Sequence, residues 1–219
     1  MTLDFPGHGS GPPLQPPFGW DVFAEHVLEV TEPGGIGVGH SMGAAALAMA
    51  QLADPARFRF LLLIEPIVLP GPHGRQEHEL SRVAAKRKSS FPDRETAREN
   101  FATREAFAGW HPDAIAGYVD CGLVGQGPVE LACDPGVEAE VYRGSNDHDT
   151  FDRLGEIEIP ALVLCGADSD TISPDLARTQ AERMGRSGVE IIPESGHFLP
   201  MERPDLIADR LRRLVDTFG

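Results

Sequence analysis

Lysine is nearly absent from this sequence, which also lacks long apolar runs and paired cysteine motifs. Lys86 and Lys88 are the two lysines, and 34 acidic residues against 19 basic ones give a formal net charge of −15. That charge argues against nucleic acid and anionic membrane surfaces as partners. No run approaches the roughly eighteen apolar residues of a membrane span. The first residues also lack the basic-then-apolar pattern of a secretory signal.

Cysteine is scarce as well. Cys121, Cys133 and Cys165 occur without a C-x-x-C pair, which excludes a disulfide framework and favours a reducing, cytoplasmic location. The 219 residues, 41% of them hydrophobic, suffice for one domain core with a small insertion.

The most informative segment that is present is Gly39-His40-Ser41-Met42-Gly43, which reads G-x-S-x-G. This pentapeptide places a serine on a sharp strand-to-helix turn, where side chains two residues away on either side would collide. An apolar run over 36–38 precedes it, and an alanine-rich, helix-prone segment over 44–52 follows. The sequence therefore predicts an exposed serine hydroxyl at the N-terminus of a helix.

His197 is the predicted partner of this serine. It follows the strand-like segment Val189-Glu190-Ile191-Ile192 and precedes a segment over 205–215 with helical apolar spacing. A neutral imidazole there can take the serine proton and return it to a leaving group. The alternative is that His197 caps a helix or fills a gap near Phe198. The other seven histidines lack this placement: His8, His26, His40, His73, His78, His111 and His148. The five-residue spacing of His73 and His78 does not indicate a metal site.

An acid that orients the histidine is expected at the end of a buried strand. The best such strand is 161–165, and the loop after it contains Asp168 and Asp170. We select Asp170, with Asp168 as the second choice. Glu65, which ends the apolar run 60–64, is a third candidate.

The order Ser…Asp…His, with each residue after a strand, resembles the α/β-hydrolase fold superfamily. The turn Asp4-Phe5-Pro6-Gly7-His8-Gly9-Ser10 and the loop Gly196-His197-Phe198 with Met201-Glu202-Arg203-Pro204 resemble motifs of that family. The resemblance implies an α/β fold whose mostly parallel sheet is flanked by helices. It implies Ser41 as nucleophile, His197 as base, Asp170 as acid and the Met42 amide as an oxyanion donor. A serine nucleophile needs no cofactor and no metal, and we expect neither.

The same resemblance predicts the domain organisation. We expect residues 1–70 and 155–219 to form the hydrolase core, and residues 71–154 to form a helical cap or lid. Family members carry a longer segment before the Asp4 turn, with the first strands of the sheet and a second oxyanion donor. We therefore expect an N-terminally truncated fold, with Met1 not the true start.

The predicted function is a serine hydrolase that cleaves a carboxylic ester or related small acyl substrate through an acyl-enzyme. The same motifs fit a lyase, a haloperoxidase, or a carbon–carbon or amide hydrolase of this fold. A truncated chain with little activity, or a non-catalytic small-molecule binder, is a further alternative. The motifs leave the acyl length and the oligomeric state open.

Overall fold

Seven strands and ten α-helices form in residues 1–218, the part of the chain that this computed structural model describes. The strands are β1 (Gly35–His40), β2 (Phe58–Ile64), β3 (Ser90–Phe91), β4 (Leu123–Val124), β5 (Val129–Leu131), β6 (Ala161–Gly166) and β7 (Ser187–Ile192). The helices are α1 (Asp21–Val30), α2 (Met42–Ala53), α3 (Glu79–Ala85), α4 (Arg94–Ala102), α5 (Pro112–Gly122), α6 (Pro135–Arg143), α7 (Thr150–Arg153), α8 (Pro174–Met184), α9 (Leu199–Glu202) and α10 (Pro204–Phe218).

The polypeptide divides into two units, each assembled from two stretches of chain. Unit A consists of residues 1–18 and 76–144, and unit B consists of residues 19–75 and 145–219, of which 219 lies outside the described residues. Residues 1–18 were expected in the core but lie in unit A. Residues 71–75 and 145–154 were expected in the cap but lie in unit B. The expected role of residues 71–154 as a cap stays a prediction.

Unit B contains a four-stranded parallel sheet in the order β1-β2-β6-β7. Adjacent strands run in register, with Val38 opposite Leu62 and Leu63 opposite Val163. Because the strands are parallel, their carboxyl ends lie along one edge of the sheet. Side chains that follow these ends are thereby brought together even when they are far apart in sequence.

Both faces of the central strand β2 are buried, as its run of apolar residues requires. Phe60, Leu62 and Ile64 pack on one side into a cluster that includes Leu199 and Leu214 from α9 and α10. Because successive side chains of a strand point to opposite faces, Leu61 and Leu63 lie on the other face, where both are fully buried. Helix α2 packs against β1 and β2, while α8 packs against β6 and β7. The predicted parallel sheet flanked by helices is confirmed.

Unit A is built around a short antiparallel sheet in the order β3-β5-β4 and four helices. Its core is a cluster of buried apolar side chains: Phe91, Ala97, Phe101, Val119, Leu123 and Val129. Arg87 joins two helices, because its guanidinium donates to Glu138 of α6 at 2.6 Å and to the Tyr118 hydroxyl of α5 at 2.7 Å. Helices were predicted across this stretch, but its small sheet was not.

The N-terminal turn of unit A is closed by its own side chains. Asp4 Oδ2 accepts from the Ser10 amide at 2.9 Å and from the Ser10 hydroxyl at 2.8 Å, and these bonds lower the pKa of Asp4. Gly7 and Gly9 adopt positive φ angles of 76° and 53°, which glycine tolerates without strain.

None of the helices in residues 1–218 has the length and apolar character needed to cross a membrane.

Candidate active site

Ser41 lies at the junction of β1 and α2, with φ of 56° and ψ of −120°. Its amide donates to the carbonyl of Ile64 at 2.9 Å, which ties the turn to the end of the neighbouring strand β2. A Cβ on Gly39 would lie 2.6 Å from the backbone of Gly43, so the turn requires glycine at position 39. The predicted strand-to-helix turn is therefore present, and its geometry explains the glycine.

His197 lies in the loop between β7 and α9, where the sequence placed it. Its Nε2 is 3.0 Å from the Ser41 hydroxyl oxygen, and its Nδ1 is 3.0 Å from Glu65 Oε2. A carboxylate only accepts hydrogen bonds, so Nδ1 carries the proton and Nε2 presents a lone pair to the hydroxyl. This tautomer is the one that a general base for Ser41 requires.

Glu65 follows β2 directly and is fully buried. Its Oε1 accepts from the Gly166 amide at 2.6 Å, and its Oε2 accepts from the Ser169 hydroxyl at 2.7 Å as well as from His197. A buried carboxylate without partners would be costly, and three donors here compensate for its lost hydration. The carboxylate is therefore fixed in position beside the imidazole.

The structure does not bring Asp170, the predicted acid, to His197. Asp170 is exposed and accepts a hydrogen bond from the hydroxyl of its neighbour Thr171 at 3.0 Å. Asp168 is also exposed, and its amide donates to the carbonyl of Ser195 at 3.0 Å. The third candidate, Glu65, occupies the position instead, because β2 lies next to β1 in the sheet.

Two further sets of hydrogen bonds hold the Glu65 segment in place. The Glu65 amide donates to the Leu164 carbonyl at 2.8 Å, and the Glu65 backbone has a positive φ of 51°. Gln180 of α8 is buried and donates through Nε2 to the carbonyls of Pro66 at 3.2 Å and Val68 at 2.8 Å. The segment after Glu65 is thereby anchored to α8.

Cys165, buried in β6 one residue before Gly166, has the properties of a structural residue. Burial, with the nearby Glu65 carboxylate, raises the pKa of its thiol to about 12. Its sulfur is 3.3 Å from the carbonyl oxygens of Gly166 and Ile172. Because the thiolate is the reactive form, a thiol with so high a pKa is a poor nucleophile at neutral pH.

The remaining predicted site residue is Met42, the first residue of α2. The first backbone N–H groups of a helix have no partner within the helix and favour negative charge. The role of the Met42 amide as an oxyanion donor stays a prediction.

Within the described residues, no group of three or more His, Cys, Asp or Glu side chains is arranged to hold a metal ion.

Sequence reasoning ranked Glu65 too low and missed Ser169. A signal for Glu65 is available, since an acidic residue that directly ends a five-residue apolar run is an unusual strand terminus. Ser169 gives no such signal, because a serine in a polar loop is ordinary. His40 was also set aside, although its ring lies 5.1 Å from that of His197.

Residues 1–210 match the sequence model of the alpha/beta hydrolase family, and the chain belongs to that family. It is similar to the abhydrolase domain-containing protein AFT2-1 of Alternaria alternata, with 26% identity over 81% of this chain and 83% of that protein.

Solved structures show the same fold. The peroxisomal alpha-beta-hydrolase Lpx1 from Saccharomyces cerevisiae superposes with a TM-score of 0.84 and 20% identity, over 97% of this chain. The match spans 64% of Lpx1, so this chain covers less than two thirds of that protein. An E-2-(acetamidomethylene)succinate hydrolase gives a TM-score of 0.78 and 19% identity, over 97% of this chain and 80% of its own.

Proposed function

We propose that this chain is a serine hydrolase that cleaves a carboxylic ester or a related small acyl compound. One observation carries the proposal. Ser41 Oγ, His197 and Glu65 form a continuous hydrogen-bonded chain, with 3.0 Å between Oγ and Nε2 and 3.0 Å between Nδ1 and the carboxylate. Family membership supports the same chemistry. In serine hydrolases the nucleophilic serine contacts a histidine base, and the histidine in turn contacts an orienting acid.

In the acylation step, Ser41 Oγ bonds to the substrate carbonyl carbon while its proton passes to His197 Nε2. The carbonyl oxygen becomes negative, and the Met42 amide at the start of α2 donates to it. When the carbonyl re-forms, the bond to the alcohol oxygen breaks and His197 gives its proton to the departing alcohol. An acyl-Ser41 ester remains.

Water completes the cycle by the same route. It transfers a proton to His197 Nε2 as its oxygen bonds to the acyl carbon, and the acid product leaves as the proton returns to Ser41 Oγ. Glu65 keeps the imidazole in the required tautomer and stabilises the imidazolium by its negative charge. Because Glu65 is buried and held by Gly166 and Ser169, it needs no rearrangement during the reaction.

A fluorophosphonate probe with mass spectrometry tests this proposal directly. We expect covalent labelling of Ser41 in the folded protein and none in Ser41→Ala, with hydrolysis of p-nitrophenyl acetate lost in the same variant. Ser195→Ala is the matched control, since Ser195 is buried in the His197 loop and is not the proposed nucleophile. A protein whose Ser41 resists the probe, or a Ser41→Ala variant that hydrolyses the ester normally, contradicts the proposal.

A further inference from the structure

His40 lies between the turn glycine and the nucleophile, yet its side chain reaches the histidine loop. Its Nε2 is 2.8 Å from the backbone carbonyl oxygen of His197, 157 residues away in sequence. The two imidazole rings are tilted by 42° with centroids 5.1 Å apart, and the Phe198 ring lies 6.4 Å from His40. Since a carbonyl only accepts, His40 Nε2 carries the proton and donates it.

We propose that His40 is a positioning residue that locks the main chain of His197 to the nucleophile turn through this hydrogen bond. The inference rests on the proposed function, because it assigns His40 a role in presenting His197 to Ser41. It goes beyond that function by identifying a fourth side chain on which the geometry of the site depends.

The His197 ring contacts the nucleophile turn through Ser41 Oγ, but that bond joins two side chains and does not involve the His197 backbone. Glu202 accepts from the Gly196 amide at 2.7 Å, which fixes the loop to α9. Glu65 fixes the His197 ring but leaves its backbone untouched. The His40 bond connects the His197 backbone with the residue immediately before Ser41. A displacement of about 1 Å between reacting groups can cost roughly a hundredfold in rate, so this connection matters for turnover.

The charge state of His40 suits this role. The groups that face it are the His197 ring, the Glu65 carboxylate and the Phe198 ring. Burial, and then repulsion from His197, lower the pKa of His40 to about 4. His40 is thus neutral at physiological pH and places no second positive charge beside the imidazolium that forms on His197. A lysine or arginine at this position would supply a donor but would oppose that charge.

Two nearly isosteric variants test the hydrogen bond. In His40→Gln the amide nitrogen can replace Nε2 as a donor, whereas His40→Met has similar bulk and no donor. We expect kcat for p-nitrophenyl acetate to fall about 10- to 100-fold in His40→Met, with KM and Tm little changed. His40→Gln should restore most of that loss. His26→Gln, a histidine on α1, is the control for removal of an imidazole elsewhere in unit B.

A second readout does not depend on activity. Amide hydrogen exchange over residues 194–199 should become faster in His40→Met and return toward the wild-type rate in His40→Gln. If Ser41 proves inert to the fluorophosphonate, the proposed function fails, and hydrogen exchange alone decides whether His40 holds the loop. Unchanged exchange in all variants, or an active His40→Met with the wild-type kcat, overturns the inference. Should His40→Met not fold, His40→Asn replaces it, since its shorter amide cannot reach the carbonyl.

Discussion

Glu65 Oε2 and His197 Nδ1 are 3.0 Å apart, although 132 residues separate them in sequence. Glu65 directly follows β2, which lies between β1 and β6, and this position brings it beside both the Ser41 turn and the loop of Ser169. The acid therefore contacts the histidine from the centre of the sheet, and the loop after β6 contributes a serine hydroxyl to it instead of a carboxylate.

Neutralising Glu65 should slow turnover far more than neutralising Asp170. In Glu65→Gln the negative charge that stabilises the His197 imidazolium is gone, and kcat should fall by about 10³- to 10⁴-fold. Asp170→Asn alters an exposed carboxylate that accepts from Thr171 and should stay within about twofold of wild type. Steady-state kinetics with p-nitrophenyl acetate measure both. A larger loss in Asp170→Asn than in Glu65→Gln would return the acid role to Asp170.

Removing the Ser169 hydroxyl should lower both kcat and the free energy of unfolding. Ser169→Ala deletes one of three donors to the buried Glu65 carboxylate, and a hydrogen bond to a charged group contributes about 1.5–3 kcal/mol to stability. We expect kcat to fall roughly 10- to 100-fold as well, because the carboxylate that orients His197 is less firmly held. Ser173→Ala is the matched control, because that hydroxyl caps α8 by accepting from the Leu176 amide. The control should lower the unfolding free energy by about 1 kcal/mol and leave kcat unchanged. Equal kcat losses in both variants would contradict a specific role for Ser169.

Adding a methyl group at position 39 should disrupt the nucleophile turn, whereas the same change at position 35 should not. A Cβ on Gly39 meets the Gly43 backbone at 2.6 Å, while the nearest atom to a Cβ on Gly35 is 3.8 Å away. Gly39→Ala should lower the free energy of unfolding by about 1–3 kcal/mol, and Gly35→Ala by less than about 0.5 kcal/mol. Urea denaturation of the two variants measures the difference. Equal stability of the pair would show that the turn relaxes freely.

The neutral His40 should make the protein less stable in mild acid. Its pKa of about 4 in the folded state lies below its ordinary value of 6.5, so the unfolded chain takes up the proton first as pH falls. The contribution of His40 to the unfolding free energy should therefore decrease between about pH 6.5 and 4 and stay constant below, by at most about 3 kcal/mol in total. Urea melts at pH 7, 5.5 and 4.5 should show a shallower decrease in His40→Gln. An identical pH dependence in the two proteins would exclude this contribution.

The sequence predicted those parts of the site that depend on local pattern. The G-x-S-x-G turn has a steric cause that can be read from the glycines, and the structure places Ser41 at the predicted junction. His197 was recognisable because it follows the late strand β7, whose observed range, Ser187–Ile192, includes the predicted 189–192. Strand β6 also forms where the run 161–165 indicated.

The acid could not be chosen from local pattern alone. Several acidic residues follow strands, and the order of the strands in the sheet decides which of them is next to His197. That order comes from long-range packing of β2 between β1 and β6, to which hydrophobic periodicity is insensitive. The strands of unit A were missed for a different reason, since β3 and β4 have two residues each and are too short to show an alternating pattern.

Unit B is assembled from two stretches of chain, with Ser41 and Glu65 in the first and His197 in the second. During translation a ribosome must therefore synthesise all of unit A's later segment, 76–144, and the whole of β6 and β7 between Ser41 and His197. The hydrogen bond between Ser41 and His197 can therefore form only after the last strand of the parallel sheet has been synthesised.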